Sequence, residues 1–329
     1  MQNANNNLSP EQLELYKSIL DEYNRYRGVS EEEKEDVILK ISSTTFIDLL
    51  CDWAFKHVFG HNKELLIMLL NDFLPEKVID IEYDPNETDI FRGEDKQVIM
   101  DVICHTENRS FIVEMQKSSN SNFRNRMLYY GAATITRQLS SGDDYSKMVP
   151  VYVICFMDFR LNHLTDQLVY RYQIREQDSG EPYGNQLSIY FCELPRLASQ
   201  KKEKLSPIEE WFEILLNMSK FAEKPANVNK RFDPVFDACK QARLQKQELE
   251  QYFRAMISEQ EKQGIAAFYR DEGYQDGIEK GREEGREEGI GEGMKMGKLA
   301  VAKAMLANGI ARDVIVSCTG LTEEQLKAL

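Results

Sequence analysis

The 329-residue chain contains no uninterrupted apolar run of the roughly 18 or more residues that a membrane span requires. Met1-Gln2-Asn3-Ala4-Asn5 leads into polar sequence rather than the apolar segment of a signal peptide, so a cytoplasmic protein with no membrane partner is expected. Positive charge is scarce: 41 Lys and Arg stand against 55 Asp and Glu, a net charge of −14 with His neutral. Bulk charge therefore repels nucleic acid, and any DNA contact must come from a local basic surface. The six cysteines include no Cys-x-x-Cys pair, and several lie in apolar runs as small buried thiols do. Neither a zinc site nor a disulfide framework is indicated. What is present, 42% hydrophobic and 29% charged residues, is the balance of a globular chain with a sizeable core.

Four segments are legible. Residues 1–44 read as a charged helical N-terminal extension, with Ser9-Pro10-Glu11 and Ser30-Glu31-Glu32-Glu33 as helix starts. Residues 45–200 read as an α/β domain. Thr45 to Leu74 has helical periodicity broken at Gly60, which predicts two packed helices. Strands are expected at Val78–Tyr83, Gln97–His105, Ser110–Gln116, Pro150–Phe156 and Leu187–Phe191, with a helix over Asn122–Leu139. Residues 201–270 are mostly helical, with Trp211, Phe212, Ile214 and Leu215 as one apolar turn. Residues 271–329 form a tail in which Gly277, Gly281, Gly285, Gly289, Gly293 and Gly297 recur every fourth position. As a helix this is a glycine ridge suited to pairing with a second copy; as coil it is a solvated linker, since each Gly costs about 1 kcal/mol in a helix relative to Ala. The last residues are spaced like a helix-turn-helix, but Glu323 and Glu324 stand where a DNA-reading helix presents Arg, Lys, Asn or Gln, so a protein-contact bundle is the expectation.

The chemistry concentrates in residues 97–116. A two-residue turn at Glu107-Asn108 places Asp101 directly across from Glu114, with their Cβ atoms about 4.5–5.5 Å apart. Two carboxylates facing each other in an apolar hairpin repel unless something compensates, and a divalent cation held by both is the economical answer. Alternation puts Gln116 on the same face as Glu114 and Lys117 on the other. The plainer alternative is that the two acids form the wet side of a half-exposed hairpin. On the first helix Asp52 and Lys56 share a face, either as an ordinary i,i+4 ion pair or as an acid and a cation for the same site. His57 and His61 are read as capping the helix end near Gly60 rather than as ligands. Residues 117–140 carry Lys117, Arg124, Arg126 and Arg137 without a single acid, interleaved with Phe123, Tyr129 and Tyr130. This is the one phosphate-facing surface the sequence offers, with the Tyr pair expected inward and the Arg residues outward.

Together the string Asp52-x-x-Phe55-Lys56-x-x-Phe59-Gly60, the Leu70-Asn71-Asp72-Phe73-Leu74-Pro75 helix end, the Asp101 strand, the Phe111-Ile112-Val113-Glu114-Met115-Gln116 strand, the Arg126-x-x-x-Tyr130 helix and the glycine-repeat tail resemble the recombination-promoting nuclease (Rpn) and transposase family of the PD-(D/E)xK nuclease superfamily. The resemblance implies a restriction-endonuclease-like mixed sheet flanked by helices. It also implies a metal-dependent DNA endonuclease linked to recombination or mobile-element movement, using Mg²⁺ or Mn²⁺ held by Asp101 and Glu114. Asp52 sits where the superfamily often carries an acid on the first helix. Gln116 stands in the place of the usual Lys, and Lys56 is the residue available to replace its charge. A catalytically silent DNA-binding relative is the alternative.

Overall fold

The computed structural model describes residues 9–24, 44–84, 87–88, 98–119, 122–161, 165–199 and 204–327, without side chains for 20, 22–24, 87–88, 98–99, 199, 259–277 and 279. The second N-terminal helix expected after Ser30 lies outside the described residues. Two compact units result, residues 1–260 and 261–329.

The first unit is built on a six-stranded sheet. Its strands are β1 (Glu82–Tyr83), β4 (Val102–Thr106), β5 (Arg109–Gln116), β6 (Val151–Met157), β8 (Leu187–Glu193) and β7 (Val169–Gln173), in that spatial order. Short strands β2 (Glu87–Thr88) and β3 (Val98–Ile99) pair separately. The centre, β5-β6-β8, is parallel, while β1-β4-β5 and β8-β7 are antiparallel. Strand β6 is buried along its whole length, as a central parallel strand covered on both faces must be.

Alternation along the strands sorts the two faces. Phe111, Val113, Met115, Ile154 and Phe156 pack with α1 (Pro10–Asn24), α2 (Asp52–Phe59), α3 (Lys63–Phe73), α5 (Pro207–Asn217), α6 (Asp233–Ala238) and the start of α7 (Lys246–Ala307). Ile112, Val153, Cys155 and Met157 pack under α4 (Phe123–Arg137) through Phe123, Met127, Tyr130 and Ala133. This is the mixed sheet flanked by helices that the sequence led us to expect. The 201–270 stretch adds Trp211, Phe212, Tyr252 and Phe253 to the larger of these cores, and Tyr16 of α1 stacks on Phe253 at 3.8 Å.

The structure departs from the sequence reading at several elements. Helix α2 begins at Asp52 rather than Thr45, because residues 45–47 bridge to 239–241: Ile47 N–H donates to the Cys239 carbonyl, and Phe46 pairs with Lys240. That partner is about two hundred positions away and leaves no local trace. The expected Val78–Tyr83 strand narrows to two residues, since Val78 exchanges both backbone bonds with the Asn71 side chain instead of a strand. The expected Gln97–His105 strand breaks at Met100-Asp101, and an additional edge strand, β7, was not read from the sequence at all.

The second unit comprises the remainder of α7, α8 (Arg312–Thr319) and α9 (Glu323–Lys327) around Ala302, Ile315, Leu321 and Leu326. The glycine repeat is helical. Gly320, at φ 67°, ends α8 in the left-handed conformation that glycine adopts at least cost.

Candidate active site

Strand β5 pairs with β4 in the register Val102↔Val113 through Thr106↔Arg109, so Asp101 falls opposite Glu114 just beyond the ladder. There the side chains take over from the backbone. Asp101 N–H donates to Glu114 Oε1 at 2.9 Å, and Met115 N–H donates to Asp101 Oδ2 at 2.8 Å. This exchange is the reason the strand breaks at Asp101. Both acids are buried, Asp101 5% and Glu114 2% exposed, which removes the reading of a wet hairpin face.

Helix α2 delivers Lys56 to the pair. Its ammonium lies 3.2 Å from Asp101 and 3.1 Å from Asp52, whose side chain is 58% exposed. Burial, then the charges of Glu114 and Asp52, hold the Asp101 carboxyl well above the usual carboxylate range, with Lys56 opposing. Burial pushes Glu114 up to about 7 against the pull of the Asp101 N–H, Arg126 and Lys56. Burial lowers Lys56, but Asp101 and Asp52 more than offset it, so its pKa is raised and the ammonium stays charged. Lys56 is therefore a fixed cation and not a base.

Gln116 ends β5 on the face of Glu114. Its amide nitrogen donates to the Met115 carbonyl at 2.9 Å and lies 3.5 Å from Glu114 Oε2, while its carbonyl accepts from Arg126 Nη2. A family model described as PD-(D/E)XK nuclease family transposase matches residues 49–265. The chain belongs to this nuclease family. Comparison with curated proteins and with solved structures returns no match.

Members of the PD-(D/E)XK nuclease family generally use divalent metals. The donor set of this nuclease fits such an ion: two carboxylates face each other, both buried, with the Lys56 ammonium 3.2 Å from Asp101. No group of three or more His, Cys, Asp or Glu residues gathers as a metal cage among the described residues. Two carboxylates are the complement that a hard divalent cation takes while keeping several waters.

The basic residues of the nuclease divide. Arg124 and Arg137 are exposed on α4, and Arg126 turns inward to Gln116. Lys117, on the opposite face as alternation requires, is paired with Asp48 at 3.3 Å and is not brought to the carboxylates. The two tyrosines also part company: Tyr129 is 40% exposed, whereas Tyr130 is buried and feels the charges of Glu114 and Arg126. Tyr130 thus lies inward as the sequence leads one to expect, and neighbours the carboxylates, whereas Tyr129 does not turn inward. His61 Nδ1 lies 3.3 Å from the His57 carbonyl, the expected capping geometry.

A second family model, described as the Rpn/YhgA-like nuclease family C-terminal HTH domain, matches residues 295–329. This corrects the expectation of a protein-contact bundle. The two acids of α9 do not change the helix-turn-helix class, because that class is set by the turns at Gly309 and Gly320 and by the small core between the helices, not by the charge on its outer face.

Proposed function

We propose that this nuclease is a metal-dependent DNA endonuclease that hydrolyses phosphodiester bonds at the Asp101–Glu114 pair, in the setting of recombination or mobile-element movement. The observation that carries the reading is the burial of two facing carboxylates with a charged lysine against one of them. Asp101 and Glu114 would hold Mg²⁺ or Mn²⁺, which when bound supplies an acidified water and charge neutralisation at the scissile phosphate. Lys56 provides the fixed positive charge that the neutral residue 116 lacks, while Asp52 fixes the position of Lys56. Gln116 orients the carboxylate end of β5. Arg124, Arg126 and Arg137 face the DNA backbone; Lys117 contributes by anchoring β5 to Asp48, with its ammonium reaching a phosphate only if that pair opens. The site lies in a cytoplasmic protein, and the exposed glycines of α7 pair one copy with another.

Supercoiled plasmid incubated with the protein and Mg²⁺ or Mn²⁺ is expected to be nicked or linearised, and Asp101→Ala is expected to abolish this. An unchanged plasmid at high enzyme, or equal cleavage by the variant, overturns the reading.

The neutral amide at 116 favours one alternative, a DNA-binding relative without turnover. Binding that persists in Asp101→Ala and Glu114→Ala with no metal dependence would support it.

A further inference from the structure

Lys56 and Lys117 both have carboxylate partners, Asp101 and Asp52 for the first and Asp48 for the second. Arg126 has none in ion-pairing range among the described residues; its one hydrogen-bond acceptor is the neutral Gln116 carbonyl. Its Nε is buried and donates to nothing in the described structure. The guanidinium lies over the Phe123 ring, 6.0 Å from its centroid, and helix α4 is pinned there by Phe123, Met127 and Tyr130. A half-buried guanidinium that feels Glu114 from beyond ion-pairing range, with one face against a ring and its buried Nε unused, is left short of a partner unless an oxygen-rich anion completes it.

The amide of Gln116 is oriented from both ends: its nitrogen is directed to the Met115 carbonyl and toward Glu114, its oxygen to Arg126. We propose that Gln116 is a positioning residue that holds Arg126 beside the carboxylate pair, so that Arg126 binds the phosphodiester being cleaved and residue 116 itself never touches it. The proposal rests on the nuclease reading and adds to it a division of labour. Lys56 neutralises the carboxylates, and Arg126 takes the phosphate in the fork geometry that a lysine does not offer. A counter-intuitive consequence follows. Restoring a lysine at 116, as in the wider superfamily, sets a second cation against Arg126 and removes its acceptor, so Gln116→Lys lowers activity.

The test uses the full chain and a short DNA duplex, with binding measured in Ca²⁺ across a salt series and cleavage measured in Mg²⁺. Arg126→Gln is expected to flatten the slope of log K against log salt by about 1 and to cut kcat/KM at least tenfold, with Tm unchanged. Gln116→Ala should show much of the same loss, and the double variant should be no worse than Arg126→Gln. Gln116→Lys should cleave at least tenfold more slowly than wild type. The proposal is overturned by a wild-type salt slope in Arg126→Gln, by losses that simply multiply in the double variant, or by a Gln116→Lys protein as active as wild type. If wild type does not cleave at all, the nuclease reading fails separately, and the salt slope and its coupling to residue 116 still decide where Arg126 acts.

Discussion

Burial separates Asp101 and Glu114 from the many other acids of this chain. A carboxylate at 2% exposure loses most of its hydration, and a second one alongside raises the cost further. For Glu114 the folded pKa of about 7 lies above its ordinary 4.5. Between those values the folded protein holds a proton that the unfolded chain does not, so metal-free stability falls as pH rises across that window and is lowest above it. Thermal melts in chelator should show this fall, and Glu114→Gln should be more stable than wild type at pH 8, by on the order of 1–3 kcal/mol, but not at pH 4.5. The same variant should lose the Mg²⁺-induced rise in Tm. Lys56→Met removes the cation paired with Asp101, so the carboxylates hold their protons to higher pH. The acidic limb of the pH–rate profile should move upward and kcat should fall by about a hundredfold.

At the scale of elements, the site is aimed by polar tethers as much as by packing. Asp72, at the end of α3, accepts from Trp211 Nε1 at 2.7 Å and from Arg231 at 2.6 Å, and Arg231 also reaches Glu210 at 3.3 Å. This ties α5 to α3 beneath α2. Asp72→Ala leaves the indole N–H and the guanidinium without their acceptor, and urea denaturation should register a loss of about 2–4 kcal/mol with an unchanged m value. Helix α5 is also closed by a capping box between Ser206 and Glu209, with Pro207 at its start. Ser206→Ala should cost about 1 kcal/mol. On the other face, a Cβ at Gly131 would meet Leu187 Cδ1 at 2.6 Å and Val153 Cγ2 at 3.3 Å, so α4 packs closely on β6 and β8 at this point.

At the scale of the whole chain, the two units differ greatly in what holds them. Residues 1–260 share large cores on both faces of a six-stranded sheet, whereas 261–329 show, among the described residues, a core of four buried residues and a helix carrying exposed glycines. Each such glycine weakens helix by about 1 kcal/mol, so the C-terminal unit should unfold first. Calorimetry should resolve a weak transition below the main one. Ending the chain at Gln260 should remove the first and leave the second in place, since Leu249, Tyr252 and Phe253 remain to close the larger core.

By itself the sequence determined the pairing at the heart of the site. A two-residue turn and a period of two admit one register, and that register puts Asp101 against Glu114 and sends Lys117 the other way. Helical spacing likewise set Asp52 beside Lys56. The depth of the pair, the reach of Lys56 to Asp101, the Asp48 partner of Lys117 and the inward turn of Arg126 came only with the tertiary structure. The reason is that burial and charge pairing depend on elements such as α4 and the 239–241 bridge, whose approach is decided by the closing of the whole core and leaves no mark on neighbouring residues.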